Sequence, residues 1–188
     1  MCRLRGGSAA GFLTETVSRV RNAGATGQLT VRADSAFYSK AVLATAAKFD
    51  VWFSITARQD KRVRAAIDAI DEDAWQPILY WLSTPEVSGA DVAETAFTVF
   101  ANDTRAARTV RLVVRRVRPT PGSQLALFTA WDYHAFVTNR DLPLPEVEVE
   151  ADHRRHAIVE QTIAELKSAE LAHLHVRQVH GPTRPGSP

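Results

Sequence analysis

The sequence predicts an α/β fold, a mixed sheet with flanking helices that carries a β-rich antiparallel insertion. Two observations carry this prediction: the first 76 residues alternate helical and strand periodicity, and the stretch from Pro77 to about Asn139 is dominated by β-rich segments. A third is the apolar stripe of a long helix from about Ala151 to Ala172, which returns the chain to helical structure.

Each element follows from its local pattern. In GFLTETVSRVRNA, Phe12, Thr16, Val20 and Ala23 fall at helical spacing and Gly24 follows as a cap, so a helix opens the chain. GQLTVRADSAFY reads as a short strand ending in Asp34, and SKAVLATAAKF is apolar at helical spacing behind Ser39, an N-cap. Val51 to Thr56 is the next strand. Helix, strand, helix, strand requires crossover connections and parallel pairing, with functional groups at the strands' carboxyl ends, where Asp34 lies. KRVRAAIDAI is a further amphipathic helix. PILYWL, VAETAFTVF, TVRLVVRRVR and LFTAWDYHAFVTN then read as an antiparallel meander broken by the turn-rich NDTRAAR and PTPGSQ. DLPLPEVEVE reads as an extended acidic connector, and HGPTRPGSP at the end has the composition of a disordered tail. The expected organisation is thus 1–76 as the first part of the core, 77–145 as the insertion, 146–173 as a helical return and 174–188 as tail.

Composition narrows the class. With 188 residues, 45% of them hydrophobic, the chain can bury one sizeable core. A single cysteine, Cys2, excludes an internal disulfide framework and a cysteine-based zinc site, which fits a reducing cytoplasm. No apolar run approaches the roughly 20 residues that span a bilayer, so no membrane role is expected. Net charge is only +2, but Arg3, Arg5, Arg19, Arg21 and Arg32 face a lone Glu15 within residues 1–33, an asymmetry that suits an anionic partner.

The closing helix holds the chemistry. His153, His156, Glu160 and Lys167 are spaced by 3, 4 and 7, which at about 100° per residue puts them on one narrow stripe. Val159, Ile163 and Leu166 fill the adjoining sector. One side of the helix can therefore pack on a core while a carboxylate, flanked by cationic or protonatable groups, stands at the core's edge.

Asp34-Ser35-Ala36-Phe37 at a strand end, together with Glu160 and Lys167 seven apart on a helix, resembles the DDE-type transposases of bacterial insertion sequences, in the branch with a Tyr-x2-Arg-x3-Glu-x6-Lys signature. The similarity runs from about Arg5 to His173. It implies a partial ribonuclease H-like core with a β-rich insertion between the second and third acids; Asp34 and Glu160 are 160 − 34 = 126 positions apart, and the β-rich stretch fills most of that gap. It also implies Asp34 and Glu160 as catalytic ligands of Mg²⁺ (or Mn²⁺) in two-metal DNA cleavage and strand transfer, with Lys167 on the DNA backbone and a possible homo-oligomer bound to DNA in the nucleoid. Hard oxygen ligands suit these ions, and a compact ammonium suits a phosphate.

Two departures qualify the resemblance. The family's first aspartate lies on a strand upstream of the opening helix, yet residues 1–33 contain no Asp; the expectation is a chain truncated at both ends and inactive alone. His153 and His156 stand where the signature has Tyr and Arg, and a neutral histidine at pH 7 clamps phosphate less firmly than a guanidinium. Alternatives from other classes are a non-catalytic DNA-binding or oligomerising remnant and a decayed, functionless product.

Every candidate has a plainer reading beside it. Asp34 can be a turn cap after a strand, and Glu160 a solvated helix residue. His153 and His156 have a feasible zinc spacing but no third ligand nearby in the sequence. Arg115 and Arg116, in the densest basic cluster, fit a DNA-backbone track or a charged sheet edge. Trp131, Tyr133, His134 and Phe136 alternate along a strand, so two pairs face opposite sides; Trp52, Trp75 and Trp81 are assigned to packing.

Overall fold

The structure, a computed structural model, describes residues 8–78, 89–118, 131–140 and 143–155. In chain order these form α1 (Ala9–Asn22), β1 (Thr30–Ala33), α2 (Lys40–Lys48), β2 (Trp52–Thr56), α3 (Lys61–Asp68), β3 (Gln76–Pro77), β4 (Ala90–Val99), β5 (Arg108–Val117) and β6 (Asp132–Thr138), followed by helix α4 over 146–155. Short 3-10 turns follow β1 at Ser35–Phe37 and precede β3 at Glu72–Ala74.

The strands join in one six-stranded mixed sheet of order β1-β2-β6-β5-β4-β3. β1 and β2 pair in parallel, Arg32 opposite Ser54, as the crossover order requires. All other neighbours are antiparallel, and β4, β5 and β6 form the expected meander. The two parts meet where β6 runs beside β2, with Ser54 opposite Thr138 and Ile55 opposite Val137. Strands of the 77–145 stretch therefore extend the sheet begun in 1–76.

Both faces of the sheet carry an apolar core. On one side Phe53, Ile55, Leu112, Val114 and Val137 pack against Leu13 and Val17 of α1, Val42, Leu43 and Ala46 of α2, and Val63 and Ile67 of α3. On the other, Val92, Val113 and Phe136 pack with Val149 of α4 and with Ile78. Strand alternation sorts the residues: Phe53 and Ile55 face the first core, Ser54 the second side. Trp131, Tyr133, His134 and Phe136 divide as their alternation predicts, since Tyr133 joins the first core and Phe136 the second.

Helix ends follow capping chemistry. Ser8 and Ser39 accept backbone N–H groups of Gly11 and Val42, and Asp60 accepts those of Arg62 and Val63. Gly24 closes α1 at φ +95°, with the Ala25 N–H on the Val20 carbonyl, the left-handed turn that glycine adopts at little cost.

Two expectations are corrected here. The stripe Phe12, Thr16, Val20 is off by one residue: Leu13 and Val17 are buried, Ala9 packs beside them, while Phe12 and Val20 are exposed. A stripe interrupted by Thr16 buries less apolar surface than Ala9, Leu13, Val17, which has the same i, i+4 spacing. The acidic connector is helical from residue 146, not extended up to Ala151. Glu148 and Val149 donate to the Pro145 carbonyl, and Gln76 donates to Glu146. Carboxylates in a first turn suit the positive end of the helix dipole, and this outweighs the strand-like Val147, Val149 alternation.

Candidate functional site

Asp34 is the first residue past β1, at the carboxyl end of a parallel pair, and it is exposed. Its extended backbone and side chain cap the 3-10 turn Ser35–Phe37, with Oδ1 accepting the Ala36 N–H at 2.9 Å. Arg58, in the loop after β2, donates to the Ser35 carbonyl and ties this turn to the neighbouring strand end. The turn-cap role is thus filled, and it engages one carboxylate oxygen.

β1 is an edge strand among the described residues. Arg32, two positions before Asp34, projects to the same side of the sheet as Ser54 and α4. Its Nε is buried with no hydrogen-bond partner among the described residues, an arrangement that costs free energy until an acceptor arrives. In the sequence Arg32 is one of several basic residues; the signal that singles it out is its place two positions before Asp34, near the end of β1.

His153 of α4 lies over this side of the sheet. Its Nδ1 is 2.6 Å from the Ser54 hydroxyl, and its ring stacks on Phe136 at 4.0 Å between centroids with 4° between planes. Burial, followed by the nearby Arg32 and Arg115 guanidinium groups, pushes its pKa down from 6.5 to about 3. The ring is neutral at pH 7 and offers a phosphate no charge. His156, Glu160 and Lys167 lie outside the described residues.

Arg115 and Arg116 of the basic cluster sit on β5, a strand interior to the sheet. Arg115 pairs with the buried Glu150 of α4 at 2.6 Å. Arg116 is clamped: Glu72 takes both its terminal nitrogens, Asp91 takes Nε at 2.8 Å, and the guanidinium lies 4.4 Å from the Trp75 ring and 4.3 Å from that of Trp131. It retains 7% of its surface. A sheet-edge reading does not apply to either residue, and both heads already hold carboxylates. Glu72, Asp91 and Glu150 were not foreseen as partners, because pairs 25, 35 or 44 positions apart leave no local signal.

Whether this body can hold a divalent pair is a matter of ligand count. Asp34 contributes one carboxylate with one oxygen already bonded, and among the described residues no three His, Cys, Asp or Glu side chains cluster. The described residues alone do not make a two-metal site. Among them, too, no helix is long and apolar enough to cross a membrane. No protein-family model and no curated protein matches the chain.

Proposed function

We propose that the chain is part of a DDE-type transposase catalytic domain, in which Asp34 and Glu160 are metal-ligand carboxylates and DNA is the substrate. One observation carries the reading: an exposed Asp34 at the carboxyl end of β1, an edge strand among the described residues, two positions after Arg32, whose buried Nε has no hydrogen-bond partner among those residues. Hydrolytic and transfer chemistry on phosphodiesters needs carboxylates to hold Mg²⁺ or Mn²⁺ and cations to hold the strand. A backbone phosphate is an acceptor that suits the Arg32 guanidinium. Lys167 adds a second backbone contact, and His153, held neutral by burial, gives the phosphate no charge.

The α/β sheet with helices on both faces agrees with this reading at the level of class; the finer ribonuclease H-like identity is part of the proposal. A second reading, a DNA-binding or oligomerising protein without catalysis, is favoured by the side of β1 that has no strand neighbour among the described residues, whose backbone suits strand pairing between copies.

Nicking of supercoiled plasmid in the presence of Mg²⁺ or Mn²⁺ separates the two. With no Asp in residues 1–33 the chain alone is expected to be nearly inactive, so residual metal-dependent nicking that falls to background in both Asp34→Ala and Glu160→Gln supports the catalytic reading. Plasmid binding without nicking, weakened by Arg32→Gln but indifferent to Asp34→Ala, would overturn the catalytic reading in favour of the second.

A further inference from the structure

The turn that begins at Asp34 ends at Tyr38, and Tyr38 lines a cavity of about 280 Å³. Phe97 comes from the end of β4, Phe100 and Asn102 from the β4–β5 turn, Lys40 from the start of α2 and Arg62 from the first turn of α3. The site thus gathers three aromatic rings, one amide, one carboxylate and two cations from the segments that follow β1 and β2 and from the β4–β5 hairpin. Its volume lies just under the roughly 300–1,000 Å³ of pockets that hold drug-sized ligands, so it suits one ring system and little more.

The backbone of Phe100 points to a role for its ring. Phe100 adopts φ 51°, a left-handed conformation that a bulky aromatic side chain rarely takes. The turn is held there by the Asp103 N–H on the Phe100 carbonyl at 2.8 Å. The result sets the Phe100 ring 5.5 Å from that of Tyr38, tilted by 37°, at the wall of the cavity. Strain of this kind collects at ligand sites more often than in plain turns.

We infer that this cavity binds a single unpaired nucleotide, its base against Tyr38 and Phe100 and its phosphate at Lys40 and Arg62. Aromatic walls accept any base through its π-face, and cations at the rim follow the backbone. Asn102 offers both a donor and an acceptor to a base edge. Asp60 also lines the cavity; its Oδ1 is spent on the cap of α3, and the carboxylate is an acceptor for an exocyclic amine while it disfavours a second phosphate. Lys40 now pairs with Asp103 at 2.8 Å, and both side chains are more than a third exposed. Exposed pairs are held weakly, so a phosphate displaces Asp103 at small cost. Arg62 donates to the Thr98 carbonyl and lies 5.7 Å from the Phe97 ring, which keeps its head at the rim. A one-ring base with an amine, cytosine, fits this set best. The inference rests on the transposase reading only for the origin of the nucleotide.

The test measures binding of the full chain to a labelled oligodeoxycytidylate and to a strand of equal length made of abasic units. The base-bearing strand is expected to bind about tenfold tighter, since base–aromatic stacking contributes on that scale. Phe100→Leu should abolish the difference, and Arg62→Gln should weaken both strands alike; melting by circular dichroism establishes that each variant is folded. If Phe100→Leu does not fold, Asn102→Ala, at an exposed position, should still narrow the difference. Equal binding of the two strands by the wild-type chain overturns the inference, as does discrimination that survives these substitutions. Competition by cytidine monophosphate upholds it and identifies a free-nucleotide site; base-dependent strand binding that the mononucleotide does not displace upholds it and identifies a strand site. Neither readout depends on nicking, so loss of the catalytic reading leaves this one standing.

Discussion

His153 shows how far a residue's surroundings can move it from its sequence meaning. The i, i+3 spacing with His156 suggested a partner for phosphate or metal, whereas the ring is stacked on Phe136, bonded to Ser54 and held neutral. Its proton affinity makes a testable statement. An unfolded histidine binds a proton near pH 6.5, and His153 in the fold does so only at about 3. Between those values the unfolded chain holds more protons than the native one, so stability falls as pH drops through that window, by at most about 1.4 kcal/mol per pH unit from this residue. The double variant His153→Phe with Ser54→Ala keeps the stack and removes both the titrating ring and the hydroxyl that needs it. Urea titrations at neutral and mildly acid pH should show a smaller loss for the variant; an equal loss would mean that other groups govern the acid limb. Arg116 makes a similar point without titration, because a guanidinium between two tryptophans and two carboxylates is part of the interior whatever its sequence neighbours suggest.

At the level of elements, legibility followed the range of the forces involved. Caps at Ser39 and Gly24, the parallel β1–β2 pair and the meander were readable because each is set by residues close in sequence. The register of the α1 stripe and the start of α4 were not, since both depend on what the helix packs against. For α4 that dependence has a measurable consequence. Val149, at 1% exposure, falls within the segment read as an extended connector, yet it plugs the core formed by Val92, Val113 and Phe136. Val149→Ala removes buried methyl groups and leaves a void, and should cost about 2 kcal/mol in urea unfolding. A loss below about 0.5 kcal/mol, the range of ordinary surface changes, would place Val149 outside the core after all. Of the candidate site, only Asp34, His153, Arg115 and Arg116 fall on described elements. Asp34 was legible because strand-end position is a local property; the pairing of Arg115 with Glu150 was not, because the two are 35 positions apart.

For the molecule as a whole, the question is whether the crossover part and the meander are one folding unit. The β-rich stretch 77–145 joins the sheet begun in 1–76, because β6 lies between β2 and β5 and its residues are shared by both halves. Ile55 and Val137 face each other across that seam, each with no exposed surface, and Thr138 donates to the Phe53 carbonyl from one strand to the next. Neither half can expose its side of the seam without uncovering apolar surface and backbone groups of the other, so separate unfolding carries a penalty that joint unfolding avoids. Val42→Ala, beneath α2, and Val113→Ala, in the meander, each remove fully buried methyls on opposite faces of the sheet. Both should shift a single transition to lower urea, followed alike by tryptophan fluorescence and far-ultraviolet circular dichroism, by about 2 kcal/mol each, and the double variant should show the sum. Two separated transitions, with Val42→Ala moving one and Val113→Ala the other, would instead make the meander an independent domain docked on β2. One shared transition has a functional corollary: the turn at Asp34, from the first half, and the cavity at Phe100, lined from both halves, keep their geometry together or lose it together.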